Sequence, residues 1–209
     1  MNINYLWHKG NESEWKEALS RYLTMINDIY LENRINSLVP SDIEKMSVRE
    51  FYDFLYNEFF VWKYTAKNRL ATTRKALSRY EREEMDSLAE IKNRFFRAYE
   101  YDPEDTEQLL GNAKRIHGLG ITGASGLLSI LFPENYGALG QFLVNALLQV
   151  EDLPEHDRLS LINPQNLTVK DAVVLEEILR GKAMELNSQF DTDEWTPRKI
   201  DMVLWAAER

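Results

Sequence analysis

The stretch Ile116-His117-Gly118-Leu119-Gly120-Ile121-Thr122-Gly123-Ala124-Ser125-Gly126 holds four of the chain's nine glycines, and seven of the nine fall between Gly111 and Gly140. Glycine weakens regular structure, so such clustering marks backbone that turns tightly or is closely approached. Leu109-Leu110 precede the run, and Leu127-Leu128-Ser129-Ile130-Leu131-Phe132 follow it. The pattern reads as helix, two-glycine turn, helix. Gly118 and Gly120 let the backbone reverse, Leu119 tucks between the two helices, and Ala124 lets them pack closely. Gly120 is expected to need glycine's freedom, so a β-branched residue there should harm folding. A helix that starts straight after such a turn points free N–H groups outward, and those suit a phosphate.

Outward from the turn, the chain reads as all-α. Helices are expected at roughly 12–34, 48–63, 66–80, 83–100, 104–116, 121–132, 138–149, 168–187 and 197–208. No segment alternates with period two for long enough to make a strand. Ser47-x-x-Glu50 is a capping box ahead of Phe51, Leu55 and Phe59, and Ser41-x-x-Glu44 is a weaker one upstream. Thr168 with Asp171 opens another helix, and Thr196-Pro197 places a cap before a proline at the first helical position. The chain forms either one helical domain over 1–209 or two interlocked lobes, about 1–100 with a basic stripe and about 101–209 with the glycine turn.

Composition narrows the chemistry. The chain has no cysteine, which excludes disulfides, thiolate catalysis and cysteine-held metal clusters within it. His8, His117 and His156 share no helix face, so no metal site is expected. Met1-Asn2-Ile3-Asn4-Tyr5 lacks a basic-then-apolar leader pattern, and no apolar run reaches membrane-spanning length. The chain therefore reads as cytoplasmic, with no membrane partner. The net charge of −9 opposes general affinity for nucleic acid, but it is uneven. Val61 to Tyr80 holds six bases (Lys63, Lys67, Arg69, Arg74, Lys75, Arg79) and no acid, whereas residues 151–194 hold eleven acids and four bases. The stripe mixes these cations with Trp62, Tyr64 and several hydroxyls, a composition that suits phosphates and stacked bases, or else a solvated helix face. Phe51 to Trp62 is aromatic enough to be core. Asp53 and Glu58, five apart, do not form a carboxylate pair for acid–base work.

The run Ile116-x-Gly118-Leu119-Gly120 with Ala124, together with the stretch through Pro133-Glu134-Asn135-Tyr136, resembles the helix-hairpin-helix DNA glycosylase superfamily over roughly 105–148. Trp195 to Trp205 looks like the closing helix of small relatives of that family. The resemblance implies an all-α helical bundle with one helix-hairpin-helix element. It also implies a phosphate site at Gly118, Gly120, Thr122 and Gly123, helped by a monovalent cation, with Lys63, Lys67, Arg69, Arg74 and Lys75 adding charge. His117, at the tip, is either a phosphate contact or a plain turn residue. The family's catalytic aspartate follows the hairpin, and bifunctional members carry a lysine two residues after the second glycine. The lysine position is Thr122 here, and the aspartate position, eighteen residues further on, is Gly140. The implied function is a catalytically inactive relative that binds DNA non-specifically. Two alternatives stay open: a base-excising glycosylase that uses a non-standard carboxylate, with Glu134 and Asp152 nearest, and a protein–protein interaction module that keeps only the scaffold.

Overall fold

The computed structural model describes the backbone of residues 1–209 and the side chains of all residues but Arg82 and Glu83. It is helical throughout, with no strand among the described residues. In chain order the elements are α1 (Ile3–Lys9), α2 (Glu12–Met25), α3 (Ile29–Asn36), α4 (Pro40–Lys45), α5 (Val48–Phe54), a π-helical turn (Leu55–Phe59), α6 (Phe60–Lys63) and α7 (Lys67–Leu77). A second π turn (Tyr80–Glu84) follows, then α8 (Met85–Tyr101), α9 (Thr106–Ala113), α10 (Ile121–Leu131), α11 (Gln141–Leu148), α12 (His156–Leu159), α13 (Val169–Phe190) and α14 (Pro197–Glu208).

The chain divides into two compact units. One joins Met1–Asn27 to Pro133–Arg209, and the other is Asp28–Phe132. In the first, α14 packs against α2, α11 and α13. Its core includes Trp15, Tyr136, Leu147, Leu175, Leu179 and Val203, all essentially without exposure. Charges enter this core, each with partners. Glu176 on α13 accepts from Gly137 N at 2.9 Å, and Asp201 on α14 accepts from Ala138 N at 3.1 Å. Arg198 donates to Asp201 and to the Tyr22 hydroxyl. The two buried carboxylates thus pin the chain just before α11, where its amides would otherwise lack acceptors. Lys182 donates to Trp7 O and to Glu185, with its ammonium 4.8 Å from the Trp7 ring centroid. Burial pushes this amine below its ordinary range, opposed by Glu185.

In the Asp28–Phe132 unit, α8 packs on α4, α5 and α9, and α9 packs on α10. Phe51, Phe54, Phe59 and Phe60 are buried, so the aromatic run is core. Phe132 closes the unit, stacked on Tyr99 and edge-on to Phe96. Lys92, 6% exposed, donates to the carbonyls of Glu44 and Met46 and so ties α8 to the end of α4.

Several sequence expectations change. The helix expected at 12–34 breaks at Ile26, which is extended (ψ 141°). Asp28 then caps a new helix by accepting from Leu31 N. The Ser41–Glu44 box is not used, because α4 already begins at Pro40 and Ser41 lies inside it. A short helix, α1, precedes the first expected one, capped by Asn2. The helix expected at 48–63 is interrupted by the first π turn. The boxes at Ser47–Glu50 and Thr168–Asp171 form, and Thr196 caps α14. In the glycine run, Gly118 alone has a positive φ, 94°. Gly120 is extended (φ −90°, ψ −171°), and a β-carbon there would meet nothing within 4 Å. Gly118 therefore needs glycine and Gly120 does not, contrary to the expectation from the sequence.

Candidate functional site

The glycine run links α9 to α10 within the Asp28–Phe132 unit. α9 ends at Ala113, and residues 114–119 form tight turns in which Ile116 N bonds to Ala113 O and Leu119 N to Ile116 O. Leu119 is buried, as its place between the helices requires. Gly120 is the N-cap of α10, and no side chain caps this end. Ala124 N is the first amide to bond back into the helix, to Gly120 O. The N–H groups of Ile121, Thr122 and Gly123 thus have no acceptor within their own helix.

The basic segment folds against this turn. A β-carbon at Gly118 would lie 2.9 Å from both the carbonyl oxygen and Cγ2 of Thr73, in the middle of α7. The Tyr64 hydroxyl lies directly beside Gly123, in the space a side chain there would fill. The Lys63 stem occupies the equivalent space at Gly126, with Cδ and Cε 2.9 Å from the β-carbon position. The clustered glycines thus serve two purposes: Gly118 supplies the left-handed turn, and Gly123 and Gly126 make room for Tyr64 and Lys63.

The expected cations differ in their surroundings. Arg69 is exposed, with its guanidinium 5.4 Å from the centroid of the Tyr64 ring. Lys67 and Lys75 are exposed on α7. Lys67 and Arg69 occupy the first turn of α7, which has no acid there and no side-chain cap at Ala66. Cations at a helix N-terminus oppose its dipole, so this arrangement weakens α7 while it gathers positive potential. Arg74 is committed elsewhere: its Nε donates to Tyr56 O at 2.9 Å, inside the first π turn, and its guanidinium lies 4.5 Å from the Tyr56 ring centroid. It anchors the π turn. Sequence reasoning passed over Lys114 and Arg115, both exposed in the turn itself. Their closeness to the first glycine of the run was the available signal.

Tyr80, 1% exposed, holds the tip. Its hydroxyl donates to Arg115 O and accepts from His117 N, both at 3.2 Å, and its ring stacks on His117 at 4.3 Å. Burial pushes the Tyr80 hydroxyl above its ordinary range. His117 Nε2 faces the Glu84 carboxylate at 3.7 Å. Asp53 pairs with Arg49, and Glu58 with Arg34. Thr122 is partly buried in the first turn of α10. Gly140, in the other unit, is the extended N-cap of α11 with open space around its β-carbon position. Glu134 and Asp152 are not buried. Among the described residues no cluster of three or more His, Asp or Glu could hold a metal ion, and no helix is long and apolar enough to cross a membrane. Comparison of the chain with protein-family models, with curated proteins and with solved structures yields no match.

Proposed function

We propose that the chain is a catalytically inactive relative of the helix-hairpin-helix DNA glycosylases that binds the DNA backbone without sequence preference. The observation that carries this reading is the convergence of two signals far apart in sequence. The glycine turn, with its unfilled amides, and the basic segment at 63–75 pack together in one unit. That unit holds 15 bases and 17 acids, while the Met1–Asn27 and Pro133–Arg209 unit holds 10 bases and 17 acids. Phosphate affinity rests on local cations and oriented amides, so a nearly balanced unit with a cationic edge can bind where the whole chain would not. Gly118, Gly120, Thr122 and Gly123 shape the amide end, and Lys63, Lys67, Arg69, Lys75, Lys114 and Arg115 supply charge. The carbonyls of Arg115, Ile116 and Gly120 each accept one hydrogen bond and keep a second lone pair. A monovalent cation of the kind the resemblance implies would draw on those, and no part of the proposal depends on it.

Thr122 and Gly140 stand where the family carries its lysine and aspartate, and neither can activate water or form a Schiff base. The test is a panel of duplexes carrying uracil, oxidised or alkylated bases, scored for retention and for strand breaks after alkali. Salt-sensitive retention without breaks supports the proposal. Turnover abolished by replacing Glu134 or Asp152 would establish the enzyme instead, and the absence of both would leave the interaction module.

A further inference from the structure

Helices α1 and α2, both in the Met1–Asn27 part of one unit, line a cleft of about 500 Å³. Small-molecule sites span about 300–1,000 Å³, so the cleft is of ligand size. Leu6 and Ala18, both buried, are its apolar lining, and Tyr5 adds a half-exposed ring. On α2, Glu14, Glu17, Ala18 and Arg21 recur at the spacing of one helix face, and all four line the cleft. Most polar groups around it are committed. The hydroxyls of Ser20 and Thr24 donate to carbonyls of their own helix, those of Lys16 and Arg21. Glu14 accepts from Asn11 N in the capping box and from the Tyr5 hydroxyl at 3.4 Å. The side chains of Glu17 and Arg21 are exposed and have no partner among the described residues. A Glu and a cation four residues apart on a helix are placed to pair, as Glu12 and Lys16 do at 2.7 Å on this same helix. Glu17 and Arg21 do not, and so leave one free anion and one free cation beside the same apolar cleft.

We propose that this cleft binds a short zwitterion with an apolar body, a dipeptide of apolar residues with both ends free. Charge complementarity fixes its orientation: the ammonium lies at Glu17, on the Glu14 side, and the carboxylate lies at Arg21. Length agrees. Four residues of α2 rise about 6 Å, and two extended residues span at most about 7 Å. The apolar side chains of the ligand cover Leu6, Ala18 and the Tyr5 ring, which supplies the area term. The binding is independent of the nucleic-acid reading, whose residues belong to the Asp28–Phe132 unit.

The experiment titrates three peptides into the isotope-labelled full chain while the amide resonances of residues 17–21 are followed: leucyl-leucine, its N-acetyl form and its C-terminal amide. Leucyl-leucine is expected to shift those amides, and each blocked form should bind about three- to fivefold more weakly, the worth of one exposed ion pair. Two variants assign the ends. In Glu17→Gln the free and acetylated peptides should bind alike, and in Arg21→Gln the free and amidated peptides should bind alike. Neither side chain has a partner to lose, so both variants should melt like wild type. No shift with leucyl-leucine overturns the proposal. Equal affinity of wild type for all three peptides also overturns it, since the cleft would then take an apolar molecule or an internal stretch of chain without reading the ends. A variant that weakens all three peptides equally shows that the side chain shapes the cleft and reads no charge, and overturns it as well.

Discussion

Replacing Gly118 with alanine should cost far more than replacing Gly120, although both belong to the same motif. At Gly118 the backbone has φ 94°, and the added β-carbon would lie 2.9 Å from the Thr73 carbonyl oxygen and 2.9 Å from its Cγ2. A left-handed residue with a β-carbon costs about 1–2 kcal/mol. Overpacking against main chain adds about 1–3 kcal/mol, because a carbonyl in the middle of α7 cannot swing away as a side chain could. The total, about 2–5 kcal/mol, should lower the melting temperature of a chain this size by about 4–20 °C. At Gly120 the backbone is extended and the β-carbon position is open. Alanine there reduces the freedom of the unfolded chain, so its effect should lie between neutral and about 1 kcal/mol of stabilisation. The assay is thermal and urea unfolding of both variants beside wild type, with duplex retention measured on the folded protein. Equal destabilisation by the two, or a larger loss at Gly120, would refute the assignment of the turn to Gly118.

Further outcomes follow from other parts of the structure. Arg74→Ala should destabilise by about 1–2 kcal/mol, measured by urea unfolding, because the Tyr56 carbonyl and ring lose their partner; the salt dependence of duplex binding should stay nearly unchanged. Glu176→Leu should cost about 3 kcal/mol, by the same assay, because Gly137 N loses its acceptor inside the core. Stability should also fall as pH rises above about 10. Burial raises the hydroxyls of Tyr52, Tyr64 and Tyr80, Tyr52 to about 12, so the folded chain holds protons that the unfolded chain releases from 10.0 upward. The buried amines Lys92 and Lys182, lowered by desolvation, have the opposite sign: they favour the folded state as pH climbs towards 10.5. An alkaline titration followed at the tyrosinate absorbance, alongside unfolding at each pH, should show tyrosines that ionise only as the chain unfolds.

The helical character and most helix starts were legible because they rest on local chemistry. Ser47, Thr168 and Thr196 each cap the helix they precede. Local patterns also misled: Ser41 has the right spacing for a cap, but Pro40 had already started the helix. The break at Ile26–Asp28 was signalled only by Asp28, within a run that otherwise keeps helical periodicity. Tertiary matters were less visible. Glu176 falls one turn after Ala172 and just before Leu179, on the buried face of α13, so its position could have marked it as an interior carboxylate. Its reason for being there, the Gly137 amide, is 39 residues away. Among the cations, nothing local separates Arg74, which holds the π turn, from Lys75 next to it, which is exposed. The change of direction between α9 and α10 was legible from the glycines, but Gly120 does not carry it, Gly123 and Gly126 lie inside α10, and the division of labour depends on Thr73, Tyr64 and Lys63, which only the fold brings near.

The most direct test of the central claim is the salt dependence of duplex binding by wild type and by the triple variant Lys67→Ala, Arg69→Ala, Lys75→Ala, followed by fluorescence anisotropy. All three side chains are exposed and take no part in the core, so the variant should stay folded, with any change in stability set by relief of the α7 dipole and loss of the Arg69–Tyr64 contact. Removing one cation from a phosphate flattens the slope of log K against log salt by about 0.9, so the triple variant should have a slope shallower by up to about 2.7, equally on unrelated sequences. An unchanged slope, or a wild-type chain that retains no duplex even at low salt, would contradict the account.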